Sequence, residues 1–395
     1  MTITTRIRAR SEFLPFARPC LGEEEIAEVV DTLRSDWLTT GPKTKAFESR
    51  FAAAVDAPGG TSVMLNSCTA GLHLALAALG VGPGDEVIVP TLTFAATANV
   101  VLHLGARPVL VDVLEDTLCI DPDAVERAIT PATRVVMPVH YGGHPADLDA
   151  IDALAAQYGL EVVEDAAHSA PSRYRGVTIG SRPTLAAFSF YATKNLTTAE
   201  GGALTGASEP LERARMLSLH GMSKDAWKRF DRQGSWEYDI VAPGYKCNMT
   251  DIAASLGLHQ LARLPAFHAR RQELARRYQE AFAALPELQP PTERPDVVSS
   301  WHLYVLRFHT QRLRLGRNAI IEELKAHNIG TSVHYRPVHM MSYYRDAFGY
   351  APDAFPVARD AFERMVSLPL DPRLSDDDVD DVIAAVEDIV TRYRR

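Results

Sequence analysis

The feature that most restricts the fold is a regular alternation of short apolar runs and longer helical patterns between about residues 61 and 206. The strand-like runs cover residues 86–90, 107–113, 134–140, 160–166, 185–191 and 202–206. Strands that are apolar on both faces and separated by helices are typical of an α/β fold, with a mostly parallel sheet covered by helices on both sides. Ligands of such sheets bind beyond the carboxyl ends of the strands. Polar residues directly after strands are therefore the first candidates for function.

The pattern changes in the second part of the chain. Residues 251–285 are predicted as one long helical region that is interrupted near Pro265. After the linker PELQPPTERP we predict a strand in WHLYVLRFH, a helix in RNAIIEELKAHN, a strand in GTSVHYRP and a closing helix. The closing helix begins with Ser375 and Asp378 at capping-box spacing.

The length of 395 residues is sufficient for two domains. We predict a large ligand-binding domain over residues 1–259 and a smaller C-terminal α+β domain over residues 260–395. The N-terminal segment is expected to pack on the smaller domain.

Composition restricts the partners and the compartment. A net charge of -9 argues against nucleic acid as the main partner, because phosphate backbones bind concentrated basic surfaces. No run approaches the roughly 18 apolar residues of a membrane span, and the N-terminal MTITTRIRARSEF lacks the apolar stretch of a signal peptide. We therefore expect a cytoplasmic protein. The four cysteines are scattered without a CxxC pair, which favours reduced thiols over disulfides or a metal site.

Chemistry that needs a primary amine has few candidates, because the chain has only seven lysines. Five lie in polar segments and are expected at the surface: Lys43, Lys45, Lys224, Lys228 and Lys325. Lys194 differs, because it follows the apolar strand AAFSFYAT and precedes NLTTAEGG. Burial at a strand end would lower the pKa of its amine and make it a nucleophile toward an aldehyde. Lys246, in PGYKCNMTD, is the second candidate.

An amine of this kind is what pyridoxal phosphate (PLP) needs, and PLP also needs an acid that keeps its pyridine nitrogen protonated. The strand LEVVEDAAHSA delivers Glu164 and Asp165 at its carboxyl end. Strand alternation places the two on opposite faces, so only one of them points at a given ligand. An isolated aspartate at a strand end is more often a cap or turn residue, but Lys194 about 30 residues further on favours the cofactor interpretation.

Groups that could hold a phosphate precede an apolar helix in NSCTAGLHLALAALG, where Ser67, Cys68 and Thr69 stand at the predicted N-terminus. A plain N-cap would account for one hydroxyl here. Ser189, five residues before Lys194, could add another hydroxyl. Phe94 follows a strand and could stack on a flat ring, although an isolated phenylalanine of this kind is more often a core residue.

Together these segments resemble the DegT/DnrJ/EryC1/StrS sugar aminotransferases, a branch of the fold-type I PLP enzymes. The resemblance covers essentially the whole chain and is carried by WLTTGP, PTLTFAAT, PVHYGGHPADLDAI, VVEDAAHS, FSFYATKNLTTAEGG and GYKCNMTDIAASLG. It implies a PLP enzyme that transfers an amino group from glutamate to a keto sugar carried by a nucleotide. The similarity is greatest to the members that make UDP-4-amino-4-deoxy-L-arabinose. Amination at C4 of a UDP-4-keto-pentose or a dTDP-4-keto-6-deoxyhexose is therefore expected.

The resemblance also implies individual roles around the cofactor ring. Lys194 would hold PLP as a Schiff base and later move the proton between cofactor and sugar. Asp165 would pair with the pyridine nitrogen. His168 would lie near the ring and its 3-hydroxyl, and Phe94 would stack on the ring.

Further roles concern the phosphate and the sugar. Three residues fall where relatives hold the phosphate: Cys68, Thr69 and Ser189. Asn248 matches an asparagine that reaches the phosphate from the other subunit, which implies a homodimer with shared active sites. His334 and Tyr335 fall in a stretch that lines the sugar site.

Several alternatives remain open. Within the family they are amination at C3 and an aminobenzoate-forming activity, and from another class a non-catalytic regulator on the same fold. A sugar 3-dehydratase carries histidine in place of the lysine, so Lys194 argues against it. An NAD dehydrogenase is disfavoured because GVGPGD at residues 80–85 follows a helix and precedes a strand, the reverse of the dinucleotide fingerprint.

Overall fold

Seven strands form one mostly parallel sheet in the computed structural model, which describes residues 9–223 and 237–395. All strands of the described residues, including those outside this sheet, are in chain order β1 (Val63–Leu65), β2 (Glu86–Pro90), β3 (Arg107–Val111), β4 (Thr133–Val136), β5 (Glu161–Asp165), β6 (Arg173–Tyr174), β7 (Val177–Thr178), β8 (Leu185–Ser189), β9 (Gly202–Thr205), β10 (Leu288–Gln289), β11 (Val297–Val298), β12 (Tyr304–Phe308) and β13 (Met365–Leu368). The α-helices are α1 (Glu23–Arg34), α2 (Pro42–Ala54), α3 (Cys68–Ala78), α4 (Ala96–His103), α5 (Pro122–Ala128), α6 (Leu148–Tyr158), α7 (Ser208–Leu217), α8 (Asp251–Phe282), α9 (Arg317–Ala326), α10 (Ser342–Phe348), α11 (Pro356–Arg364) and α12 (Asp376–Tyr393).

The large sheet has the strand order β1-β9-β8-β5-β4-β2-β3. Strands β3, β2, β4, β5 and β8 are parallel, and only β9 runs antiparallel to its two neighbours. Both faces of the sheet are buried: Val87 and Val89 belong to a core shared with α3, α4 and α7, while Ile88 between them packs toward α5 and α6. The predicted parallel sheet with helices on both faces is therefore confirmed.

Helix α8 runs for 32 residues without a break, so the predicted interruption near Pro265 is wrong. Proline removes one backbone hydrogen bond from a helix. Here Pro265 lies on the exposed side, while Leu261 and Leu264 are buried. Burial of that apolar face outweighs one missing hydrogen bond. None of the helices in the described part of the chain is long and apolar enough to cross a membrane.

A second, three-stranded antiparallel sheet has the order β10-β12-β13. It shares a core with the second half of α8, with α9 and α12, and with Leu14 from the N-terminal segment. The predicted boundary at residue 259 falls inside α8, and the division into two domains stays a prediction. The capping box at the start of α12 is confirmed, because the Ser375 hydroxyl accepts from the Asp378 N–H and the Asp378 carboxylate accepts from the Ser375 N–H, both at 3.0 Å.

The strand predicted in GTSVHYRP does not form. Only Ser332 bridges to another strand, exchanging backbone hydrogen bonds with Ser367 of β13. After this bridge the chain leaves the sheet, and its next residues line the cavity described below. The strand predicted at residues 301–309 begins only at Tyr304.

Candidate active site

A cavity of about 470 Å³ opens at the carboxyl ends of β5 and β8. This is where the parallel topology predicts a ligand site. Nine of the ten site residues predicted from the sequence line it: Cys68, Thr69, Phe94, Asp165, His168, Ser189, Lys194, His334 and Tyr335. Asn248 does not.

Lys194 extends into this cavity from a tight turn after β8, in which its backbone N–H donates to the Tyr191 carbonyl at 2.9 Å. Burial lowers the pKa of its amine to about 8, and Cys68 and Asp165 act in the opposite direction. A substantial fraction of the amine is therefore neutral near physiological pH, which makes it a competent nucleophile.

The other described lysines do not line the cavity. Lys246 is exposed, and its ammonium group contacts the side chain of Asn248. Lys43 is less exposed than predicted because it pairs with Glu28 and Asp31, both at 2.6 Å. Two side chains are exposed as predicted, those of Lys45 and Lys325. Two more lie outside the described residues: Lys224 and Lys228.

The strand alternation of β5 separates its two acidic residues as predicted. Asp165 lines the cavity, where it accepts hydrogen bonds from the Thr97 hydroxyl at 2.8 Å and from the Ala167 N–H at 3.1 Å. Burial raises the pKa of Asp165, and these two hydrogen bonds oppose that rise. Glu164 faces the other side of the sheet, where it is fully buried and lies 2.9 Å from His140 Nε2.

The N-terminus of α3 points into the cavity. Ser67 is its N-cap, with a hydroxyl that accepts from the Ala70 N–H at 3.1 Å. The backbone N–H groups of Cys68 and Thr69 have no partner within the helix, and the helix dipole adds partial positive charge. The Cys68 thiol donates to the Ala187 carbonyl at 3.3 Å, and burial raises its pKa well above the ordinary value. Cys68 therefore offers an anion its backbone N–H and not its sulfur.

Gly202 lets α3 begin directly against the sheet. A Cβ atom at this position would lie 2.6 Å from the Cys68 nitrogen and from the Ser67 carbonyl carbon, and 2.7 Å from the Phe188 oxygen. All three are backbone atoms, so no side chain can move aside. Gly202 also pairs with Ser189 across β8 and β9, which brings the Ser189 side chain next to the helix N-terminus.

His168 and Tyr335 form a hydrogen-bonded pair on the wall of the cavity. The Gly142 N–H donates to His168 Nδ1 at 3.2 Å, and His168 Nε2 lies 3.0 Å from the Tyr335 hydroxyl. Burial lowers the pKa of His168 well below its ordinary value, with Lys194 adding to the effect. The ring is therefore neutral, its proton is on Nε2, and it donates to the Tyr335 oxygen. The hydroxyl proton of Tyr335 remains free for another acceptor.

Phe94 lies at the mouth of the cavity and is 62% exposed. Its ring centroid is 5.8 Å from that of Tyr335. The interpretation of Phe94 as a core residue is therefore wrong. His334 hydrogen-bonds Ser367 through Nδ1 at 2.8 Å, and burial lowers its pKa to about 4, so it is neutral.

His302 is a cavity residue that the sequence analysis missed. Its Nε2 lies 3.5 Å from the Lys194 amine, and its ring centroid is 4.4 Å from that of His168. It precedes β12, 108 residues after Lys194. No local pattern in WHLYVLRFH distinguishes it from an ordinary strand residue. Thr97, which orients Asp165, was missed for the same reason.

Asn248 lies apart from this cavity, in a separate depression that it lines together with Lys45 and Arg215. Its amide nitrogen donates to the Thr40 hydroxyl at 2.6 Å. Asn248 is therefore not among the residues that line the cavity of its own chain, although its backbone pairs with Leu65, two residues before the N-cap of α3. Within residues 9–223 and 237–395, no group of three or more His, Cys, Asp or Glu side chains could hold a metal ion.

The cavity offers complementary groups for three polar parts of PLP. Lys194 presents an amine for the aldehyde, Asp165 a buried carboxylate for the pyridine nitrogen, and α3 free N–H groups for the phosphate. The volume of about 470 Å³ leaves room for a substrate beside a cofactor. The fold and this cavity define a PLP-dependent enzyme of fold type I.

The chain belongs to the DegT/DnrJ/EryC1/StrS aminotransferase family, whose family model matches residues 19–387. It is therefore a PLP-dependent transaminase. It is 53% identical over 386 residues to the spore coat polysaccharide biosynthesis protein SpsC of Bacillus subtilis, covering 97% of this chain and 99% of SpsC.

Solved structures agree with this assignment. The PMP-form of the putative sugar aminotransferase Spr1654 from Streptococcus pneumoniae has a TM-score of 0.89 and 41% identity, and the match covers 96% of this chain and 99% of that one. Spr1654 has also been solved in its PLP-form and apo-form. Helicobacter pylori PseC, an aminotransferase involved in the biosynthesis of pseudoaminic acid, has a TM-score of 0.87 and 28% identity, with 96% of this chain and all of PseC covered.

Proposed function

We propose that this enzyme transfers an amino group from glutamate to C4 of a keto sugar carried by a nucleotide, either a UDP-4-keto-pentose or a dTDP-4-keto-6-deoxyhexose. The observation that carries the transamination chemistry is the convergence of Lys194, Asp165 and the N-terminus of α3 on one cavity, while the donor, C4 and the nucleotide rest on the sequence resemblance. The sugar as acceptor is supported by the similarity to the putative sugar aminotransferase Spr1654 and to the spore coat polysaccharide biosynthesis protein SpsC. The cytoplasmic location stays a prediction.

The cofactor supplies an aldehyde that accepts the amino group and a ring that withdraws electrons while a proton moves. Asp165 keeps the ring nitrogen protonated, and its two hydrogen bonds from Thr97 and Ala167 fix the direction of the carboxylate. The free N–H groups of Cys68 and Thr69, with the nearby Ser189 hydroxyl, hold the phosphate.

Lys194 would hold the cofactor covalently through its amine, and this amine would be free while an amino substrate is bound in its place. Because burial lowers its pKa to about 8, the free amine would be able both to take up a proton and to return it near neutral pH. His168 and His334 are neutral, so neither competes with the amine as a proton source near pH 7. The Tyr335 hydroxyl, which accepts from His168, has a proton to donate to a sugar oxygen.

The proposed enzyme is a homodimer in which Asn248 reaches the phosphate of the partner subunit. Two observations support this arrangement. Asn248 lies outside the cavity of its own chain. Helix α1 also exposes Ile26, Val30 and Leu33, which stand at i, i+4 and i+7 and form one apolar stripe. Exposed apolar stripes of this kind are typical of protein interfaces.

The experiment that tests the function is incubation of the purified enzyme with PLP, glutamate and a panel of UDP- and dTDP-linked keto sugars. Mass spectrometry of the sugar products measures amination of the acceptor. The 2-oxoglutarate measured in parallel reports the loss of the amino group from glutamate. Amination of a 4-keto substrate supports the proposal. Reaction with 3-keto sugars alone would place the amine at C3, and formation of an aromatic amine would support the aminobenzoate alternative. A cofactor absorbance band that does not respond to glutamate would favour a non-catalytic regulator.

A further inference from the structure

We infer that His302 is a positioning residue for Lys194, whose amine it orients by accepting a hydrogen bond at Nε2. The inference rests on the proposed role of Lys194 as the residue that binds the cofactor. The contact joins Lys194 Nζ and His302 Nε2 at 3.5 Å inside the cavity. The contact matters at the stage when the Lys194 amine is not bound to the cofactor. Without a partner, an amine in a buried cavity could adopt several rotamers.

The direction of this hydrogen bond follows from the neighbours of His302. The Asn195 side-chain nitrogen donates to the Ser300 carbonyl at 2.8 Å, which fixes the orientation of the amide and turns its oxygen toward His302. That oxygen lies 3.3 Å from His302 Nδ1 and can only accept. Nδ1 therefore carries the proton, and Nε2 presents its lone pair to Lys194.

The protonation state of His302 supports the same geometry. Burial lowers its pKa well below the ordinary value, and Lys194 adds to this by electrostatic repulsion. A neutral ring can accept from the amine in either of its protonation states, whereas an imidazolium would repel the ammonium form. The Nδ1 proton of His302 is hydrogen-bonded to the Asn195 oxygen. His302 therefore orients the Lys194 amine but does not pass a proton from that amine to solvent.

Other titratable groups also face Lys194, and the test has to separate them from His302. They are Cys68, Asp165, His168 and His334, with Tyr191, Glu200 and Tyr335 also lining the cavity. His334 is a suitable control because its Nδ1 is bonded to Ser367 and its ring is neutral above about pH 4. His334→Phe removes an imidazole from the same cavity without removing a partner of the amine.

The test measures the titration of the Lys194 amine in the full-length chain freed of PLP. The relative Spr1654 has been solved in its apo-form, which supports a folded cavity without cofactor. Competitive acetylation with acetic anhydride between pH 6 and 11, followed by peptide mass spectrometry, yields the midpoint at which Lys194 becomes reactive. Acetylation of the exposed Lys325, measured in the same digest, corrects for the amount of active reagent at each pH.

Loss of an acceptor for a charged donor should lower the midpoint by about one pH unit in His302→Phe, because the ammonium form loses its partner. His302→Gln retains an acceptor oxygen, so its midpoint should lie close to that of the wild type. His334→Phe should leave the midpoint unchanged. Asn195→Leu removes the acceptor that holds the proton on His302 Nδ1, so either ring nitrogen can carry it. The Lys194 midpoint should then fall by a smaller amount. This variant decides the question if His302→Phe does not fold.

An unchanged midpoint in both His302→Phe and Asn195→Leu would overturn the inference, and so would an equal shift in His334→Phe. The proposed role of Lys194 is tested separately, by the site of the phosphopyridoxyl label after borohydride reduction. Failure of the contact and failure of Lys194 as the cofactor residue would therefore appear in different measurements.

Discussion

Replacement of Gly202 by alanine tests whether the start of α3 has to lie against the sheet. The added Cβ would be 2.6 Å from the Cys68 nitrogen, about 0.8 Å short of the 3.4 Å at which ordinary contact begins. Because the obstructing atoms belong to the backbone, the helix N-terminus or strand β9 has to move by a similar distance. The Cys68 N–H is one of the groups proposed to hold the cofactor phosphate.

The size of the effect follows from this displacement. Hydrogen bonds tolerate a few tenths of an ångström before they weaken steeply. Loss of one hydrogen bond to a charged group costs about 1.5–3 kcal/mol, which corresponds to a roughly 10- to 150-fold higher dissociation constant for PLP. Overpacking should also lower the free energy of unfolding by ~1–3 kcal/mol.

The assay is titration of the apo chain with PLP followed by absorbance, together with urea unfolding without cofactor. Gly82→Ala is the matched control, because a Cβ at Gly82 meets no atom within 4 Å. We expect the control to match the wild type in both measurements. A Gly202→Ala variant that binds PLP within twofold of the wild type would refute the reasoning, since it would mean that α3 moves without disturbing the phosphate site.

The remaining predictions concern the reacting groups and the dimer. Borohydride reduction of the PLP-loaded enzyme should place the phosphopyridoxyl label on Lys194, and a label on Lys246 would contradict the assignment. Since burial lowers the pKa of Lys194 to about 8 and only the neutral amine attacks the aldehyde, the rate of PLP capture by the apo chain should rise with pH and level off above about 8. Asp165→Asn should bind PLP but lose ~100-fold in its single-turnover rate with glutamate. Glu164→Gln should remain active, and a near-normal rate in the Asp165 variant would show that the wrong face was chosen. Asn248→Ala should weaken PLP binding in the intact dimer, whereas a dimer structure with Asn248 far from both phosphates would exclude its proposed role.

The large sheet and the residues at its strand ends could be predicted because both depend on local pattern. Apolar runs separated by helices predict parallel strands, and parallel strands place their carboxyl ends at one edge. Asp165 ends β5 and Lys194 follows the neighbouring β8, so a parallel topology is sufficient to bring them close together. The opposite faces of Glu164 and Asp165 follow from pleating alone.

The wrong predictions and the overlooked residue depend on contacts between segments that are distant in the sequence. Pro265 remains inside a helix because neighbouring positions are buried, which local propensity does not register. The segment GTSVHYRP has the composition of a strand but leaves the sheet toward the cavity. His302 comes to Lys194 from a different part of the chain, so nothing in its own segment marks it.

The state of the Cys68 thiol has a consequence for chemical modification of the enzyme. A protonated, hydrogen-bonded and buried sulfur is a poor nucleophile, and it is the thiolate that alkylating agents and peroxide attack. Although Cys68 lines the cavity, maleimide or iodoacetamide should therefore react first at the partly exposed Cys20, because burial also raises the pKa of Cys247. Fluorescent or spin labels could accordingly be attached to this enzyme through Cys20 while the cofactor cavity remains unmodified.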